Sequence, residues 1–563
     1  MFFRAVFGNS PLVVEYCCQS AAVMVTLLAT MLGSCSRGES RGMDSSVDTF
    51  SVDTLSVDSL PAEKNMSDYV LSTPDTVYPS AAAVDYKIEV CDSTPGELGD
   101  LSDPYRRSGS ILTFRGDRMR DARFGARLDS IPTRIEVDWT FTTSNGSTTA
   151  KFGPWGGGTG WTGQPLYIDW EAVADAERGG GAYGDKRGAK RGRGLLGRPK
   201  ESTREIIVGS LSGEVYFIDY DSGKPSREPV NVVNPVKGTI SLDPMFNGNL
   251  YVGQGVPSDD MPIQSLVVDL SSHRVTHRNH PDPKAWRGWH AFDSSPVRAG
   301  DFLFWPGENG TLYKFRPGQG SLRLHSAMRY RVGGRAPGME ASMAVYGNYG
   351  YTADNAGNVM CVNLATLRPV WHYQLPDDTD SSPVLAIEDG RLFLYIGCEV
   401  ERPGVDHARY VKLDALTGEE IWRNDTPAQR ADVGEKHFDG GFYSTALLGS
   451  ADCAGLLFVN VVNNTRGQNG SFMAIDRATG ATRYTVPLKC YAWSSPVGYT
   501  TRDGELVVMT ADCAGRVYLI RGTTGEILAE TLVGSNFESS PIAIGNTAVI
   551  GSRGNRIFRL SLR

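Results

Sequence analysis

The stretch Asp414-Ala-Leu-Thr-Gly418-Glu-Glu-Ile-Trp422 recurs as Asp476-Arg-Ala-Thr-Gly480-Ala-Thr-Arg-Tyr484, an acid and a Thr-Gly turn with an aromatic residue beyond. Asx and Thr side chains close such a turn, the glycine takes the positive φ it needs, and the aromatic packs past it. Upstream, another Gly turn leads into an apolar strand, as in Ser212-Gly213-Glu-Val-Tyr-Phe-Ile218, Asn309-Gly310-Thr-Leu-Tyr-Lys-Phe315 and Ala514-Gly515-Arg-Val-Tyr-Leu-Ile520. Further upstream stands a small polar pair that opens a strand: Ser294-Ser295-Pro296, Ser381-Ser382-Pro383, Ser494-Ser495-Pro496 and Ser539-Ser540-Pro541. Weaker copies are Gly163-Gln164-Pro165, Thr239-Ile240-Ser241, Ala341-Ser342-Met343 and Tyr443-Ser444-Thr445. Eight units of four antiparallel strands each predict an all-β fold, an eight-bladed β-propeller.

The last unit leaves room for three strands after Ser540: Ile542 to Gly545, Ala548 to Ser552 and Arg556 to Leu562. The strand Arg134-Ile-Glu-Val-Asp-Trp-Thr-Phe-Thr142 precedes the first full unit and carries Trp139 at the aromatic position. It is expected to complete blade eight, which would remove an open sheet edge.

The start of the chain predicts export. Arg4 precedes an apolar run, Ala21 to Leu32, too short to span a bilayer but suited to a signal-peptide core. The run ends in Leu32-Gly33-Ser34-Cys35, which resembles the bacterial lipobox, with Cys35 as the lipidated residue. A signal peptide over 1–34, an acidic disordered tether over 35–105 and a propeller over 106–563 are expected. Within the tether Ser46-Val-Asp-Thr-Phe50, Ser51-Val-Asp-Thr-Leu55 and Ser56-Val-Asp-Ser-Leu60 repeat a polar, acidic unit with too little apolar surface for a core. The net charge of −8 argues against a general nucleic-acid binder. Cys91, Cys361, Cys398, Cys453, Cys490 and Cys513 could pair in many ways, and no CxxC motif suggests zinc.

The Gly-turn strand followed by Asp-x-x-Thr-Gly-x-x-x-Trp resembles the PQQ-like propeller repeat, shared by quinoprotein dehydrogenases and BamB-like outer-membrane assembly lipoproteins. The resemblance covers roughly residues 134 to 563. A lipidated chain that is mostly one propeller looks more like the BamB-like class. That class implies a non-catalytic, monomeric scaffold on the periplasmic side of the outer membrane, with an envelope partner such as an outer-membrane β-barrel or its assembly machinery. No cofactor and no nucleic acid are then expected. The long tether and several insertions depart from the class, so partner contacts do not transfer residue by residue. The dehydrogenase alternative implies a quinone (PQQ) sandwiched by a Trp, calcium held by Glu and Asn, an Asp base and, in many members, adjacent disulfide-linked cysteines. Neither that cysteine pair in the mature chain nor a haem-attachment motif appears. A third reading is a glycan- or peptide-binding envelope module.

Propellers place ligands at the channel mouth. The position before each small polar pair gives Asp293, Glu340, Asp380, Phe442, Trp493 and Glu538, a set suited to a cation, a cationic peptide or a sugar. Each acid could equally accept backbone hydrogen bonds at its blade start. Long turns between second and third strands, Val256 to Ile263, Glu399 to Ala408 and Asn463 to Asn469, present Asp259, Asp260, Glu401, Arg402, His407 and Arg466 as partner candidates. A Gly-rich insertion over 171–204 carries Lys186, Arg187, Lys190, Arg191 and Arg193, which would suit phosphate groups or an acidic partner.

Overall fold

The computed structural model describes residues 76–563 apart from 107–108, 147, 150, 152, 161–162, 179–196, 200–201, 434–435 and 464–468. The expected leader, Cys35, the acidic repeats, the basic residues Lys186 to Arg193 and Arg466 lie outside the described residues. Among the described residues no helix is long and apolar enough to cross a membrane.

Eight antiparallel sheets follow one another as blades. Their innermost strands are Leu166–Asp169, Ser241–Leu242, Val297–Ala299, Ala344–Tyr346, Val384–Glu388, Leu447–Leu448, Val497–Thr501 and Ile542–Ile544. Second and third strands are buried on both faces between neighbouring blades, so they read as unbroken apolar runs; Leu506–Ala511 is buried throughout. The fourth strands, such as Ile527–Leu532, lie at the rim and are partly exposed. Blade eight is built from both ends of the propeller: Ile135–Thr142 lies antiparallel to Arg556–Leu562, with Ile135 opposite Leu562.

The small polar pairs recur because each performs two tasks. The first hydroxyl ties the inner strand to the second strand of its own blade: Ser294 Oγ donates to Pro306 O, Ser381 Oγ to Gly397 O and Ser539 Oγ to Gly551 O. The second residue links blade to blade. Its N–H donates to the hydroxyl of the next pair, from Ser295 to Ser342 (2.8 Å), Ser342 to Ser382 (2.9 Å), Ser382 to Thr445 (3.0 Å), Thr445 to Ser495 (3.0 Å) and Ser495 to Ser540 (3.1 Å). Ser540 N–H then donates to Gly163 O, which joins blade eight to blade one. A run of buried hydrogen bonds thus links blade three through blade eight to blade one.

A second seam lies further out. In four blades an aromatic of the fourth strand packs on the turn glycine of the next blade: Trp139 on Gly223, Trp371 on Gly418, Trp422 on Gly480 and Tyr484 on Gly525. A Cβ at these glycines would come within 2.6–2.7 Å of the ring. The indole N–H groups of Trp139, Trp371 and Trp422 donate to Tyr220 O, Ala415 O and Arg477 O of those turns, and Tyr484 Oη to Gly522 O.

Two segments precede the first blade, and the first of them departs from the expected tether. Val84–Val90 is a fifth strand on blade three, antiparallel to Ser321–Val332, so the disordered tether does not extend to 105. The long strand Ser321–Val332 offers an unpaired edge, and the alternation Val84, Tyr86, Ile88, Val90 against Asp85, Lys87, Glu89 suits a strand that covers it.

Residues 110–128 then cross the central channel and bond at the innermost strand of every blade. Ile111 exchanges two backbone bonds with Tyr167, Leu112 O accepts from Leu242, Arg118 O from Val345, Met119 O from Leu385 and Ala126 O from Thr500, while Arg127 N–H donates to Gly545 O. Thr113 Oγ1 meets Ser295 Oγ at 3.1 Å, and Arg115 Nη2 donates to Ala446 O at 2.9 Å. Asp117, Arg118, Arg120 and Asp121 are all buried here, although their charges suggest a solvated linker.

Candidate functional site

Each inner strand begins at the channel mouth, so the residues before the small polar pairs and the turns between second and third strands share that face. Asp293, Glu340, Asp380 and Glu538 are placed there and all four are buried. They form three groups rather than one ring. Asp293 meets Glu340 and Glu308, and Asp380 meets Asp378 and Glu399; within each trio one carboxylate oxygen per residue lies within 4.8 Å of the others. Glu538 stands apart, paired with Arg553 at 2.9 Å and bonded by Asn536 Nδ2. Phe442 is fully buried and meets Tyr410 edge-on in the core between blades five and six, which removes it from the mouth.

Lys237, from the loop before blade two, reaches into the first trio and forms an ion pair with Asp293. Burial opposes its charge, but Asp293, Glu308 and Glu340 outweigh that and raise its pKa. Glu308 follows the second strand of blade three, and its Oε1 has no hydrogen-bond partner. Burial first, then Glu340 and Asp293, push its carboxyl well above the usual carboxylate range. Sequence reasoning missed Lys237, Glu308 and Glu399, which come from other parts of the repeat, and Asp378, which lies two residues ahead of Asp380. The signal was present in the acid after each second-strand glycine, Gly307-Glu308 and Gly397-Cys398-Glu399, and in the acidic run Asp377-Asp378 ahead of Ser381.

The Glu308 shift has a direct consequence for stability. A carboxyl whose folded pKa lies above its unfolded value binds its proton more tightly in the folded state, so stability falls as pH rises through the window above about 4.3. Glu308→Gln is expected to stabilise the protein at pH 7, with the gain fading below about pH 4. Urea unfolding of both proteins at the two pH values checks this; an equal difference at both would overturn it.

The trio Asp378, Asp380 and Glu399 is an all-oxygen donor set suited to a hard cation. In the trio of Asp293 the Lys237 ammonium already supplies a positive charge. Trp493 is stacked on Tyr443, with centroids 4.8 Å apart and planes at 20°, and Tyr491 meets it at 5.6 Å. One face of the indole is therefore covered by a ring. Among the described residues no disulfide joins Cys91, Cys361, Cys398, Cys453, Cys490 or Cys513.

Among the loop candidates, Asp259 and Asp260 are exposed. Glu401 and Arg402 are anchored by backbone N–H bonds to Asp377, with Arg402 Nε 3.4 Å from the same carboxylate. His407 opens the third strand of blade five, beside Asp406 at 2.9 Å. Glu399–Val400 is a short strand paired with Gly440–Gly441, so that turn is partly ordered into the sheet of blade six.

The family model described as outer membrane protein assembly factor BamB matches residues 284–528. The propeller is similar to quinohaemoprotein alcohol dehydrogenase from Comamonas testosteroni, at 13% identity over 81% of each chain and a TM-score of 0.54. It is similar to a europium-containing methanol dehydrogenase at 12% identity, over 81% of this chain and 99% of that one, with a TM-score of 0.54. BamB from Moraxella catarrhalis aligns at 14% identity over 63% of this chain and 93% of that one, with a TM-score of 0.43. No curated protein matches the sequence. At these identities the structural likenesses speak for the fold.

Proposed function

Because its repeats are those of a PQQ-like propeller, matched over 284–528 by a model built for an outer-membrane assembly factor, we propose that the protein is a non-catalytic scaffold of the cell envelope. In this reading lipid on Cys35 holds it at the periplasmic face of the outer membrane, and an envelope protein docks on the mouth-side loops. The observation that supports the non-catalytic part is the stack of Trp493 on Tyr443, which occupies one face of the indole at the mouth. The crossing segment 110–128 supports it, because it fills the channel with buried side chains that serve blade closure. The exposed Asp259 and Asp260 and the anchored Glu401 and Arg402 make a polar rim suited to specific contact.

Affinity capture of the full chain from gently solubilised envelopes, with mass spectrometry of bound proteins and of released quinone, tests the reading. A stoichiometric outer-membrane protein is expected, lost when 257–262 and 401–406 are shortened. Recovery of pyrroloquinoline quinone with no protein partner would sink the scaffold and favour a dehydrogenase.

A further inference from the structure

Arg115 lies at the centre of the crossing segment, fully buried, with its backbone in the left-handed region at φ 58°. The segment's other fully buried arginine, Arg120, spends its donors on Met343 O, Thr113 Oγ1, Phe114 O and Ser295 O. Arg115 differs. Its Nη2 bonds Ala446 O, but Nε and Nη1 have no hydrogen-bond partner. The hydroxyl of Tyr410, also fully buried, has none either, and Arg115 is the charge that acts on it. Asp121, the foremost carboxylate acting on Arg115, is engaged by Arg106 at 3.1 Å and Arg123 at 2.9 Å. Burial without a countercharge of its own lowers the proton affinity of Arg115 to about 9. A buried guanidinium with two idle donors is costly unless something accepts from them.

We propose that Arg115, together with the Tyr410 hydroxyl, binds a small monovalent anion on the channel axis and so pins the crossing segment to blades five and six. The crossing segment also borders an opening on the face opposite the mouth. A cavity of about 600 Å³ opens there, and its wall includes Asp121, Ala122 and Leu447. Ala122 N–H donates to Arg115 O, and Leu447 follows the Ala446 carbonyl that Arg115 holds. The chemistry asks for one negative charge and several acceptor directions, as a halide offers. The mouth acids play no part, so the inference stands apart from the scaffold reading.

Bromide is the probe. Crystals of the full chain soaked in sodium bromide are expected to show an anomalous peak within hydrogen-bond distance of Arg115 Nε and Nη1. Thermal unfolding should shift upward with bromide in the wild type and lose the shift in Arg115→Met, measured over the same salt series. If Arg115→Met does not fold, Tyr410→Phe removes one donor and should weaken bromide by roughly 3- to 10-fold. A water alone at Arg115 in the bromide-soaked crystal, or an unchanged bromide response in either variant, overturns the proposal.

Discussion

Trp422→Ala is expected to lower the unfolding free energy by about 3–5 kcal/mol, the range for removing a buried large aromatic. Trp422 is 7% exposed, meets Tyr395 at 5.9 Å between centroids, and covers Gly480 of the next blade. The substitution opens a cavity in the seam between blades five and six. It leaves Arg477 O with Lys412 Nζ as a remaining donor at 3.1 Å, so the loss is mainly one of packing. Gly480→Ala attacks the same seam from the other side: the residue sits at φ 76°, and a Cβ would lie 2.7 Å from the indole. Alone it should cost about 1–3 kcal/mol. In the Trp422→Ala background the steric part disappears and only the left-handed backbone penalty, about 1 kcal/mol, remains. A double-mutant cycle by urea unfolding checks the coupling; strictly additive losses would show that ring and glycine do not form one unit.

Lys237→Met is expected to cost a further kind of stability, about 3–5 kcal/mol at neutral pH, because it strands a buried carboxylate. Lys237 pairs with the fully buried Asp293, and Glu308 and Glu340 lie close to the same point. Without the ammonium the trio can relieve its repulsion by taking up protons, so the loss should shrink as pH falls toward the carboxylate range. Lys237→Met combined with Asp293→Asn should recover most of it at pH 7. Denaturation of the single and double variants at pH 5 and pH 7 measures both effects. A single variant as stable as the wild type at pH 7 would mean that the ion pair does not compensate the trio.

The mouth was partly legible in the sequence and for a physical reason. Asp293, Glu340, Asp380 and Glu538 stand in register before the small polar pairs, and the pairs are recognisable because the run of interblade bonds demands a hydroxyl at the same place in blade after blade. Phe442 holds the corresponding position but turns into the core. The strand Gly440–Gly441 pairs with Glu399–Val400 just ahead of it and sets the chain over Tyr410. Glu308, Glu399 and Lys237 enter the site from second-strand ends and an interblade loop, which no fixed offset from the pair reveals.

The sequence by itself determined the eight-unit repeat, the glycine turns and the aromatic that follows several of them, because these depend on contacts repeated at constant spacing. It also marked four of the mouth acids. Only the tertiary structure decided where residues 84–128 go. Their Asp, Glu, Lys and Arg side chains suggest a solvated linker, yet Val84–Val90 finds a long unpaired edge on blade three, and 110–128 finds eight inner strands with free backbone groups to meet. Burial of Arg120 is tolerable because the closed ring supplies hydrogen-bond acceptors, Met343 O and Ser295 O, from distant parts of the chain. No local pattern encodes a partner that lies hundreds of residues away.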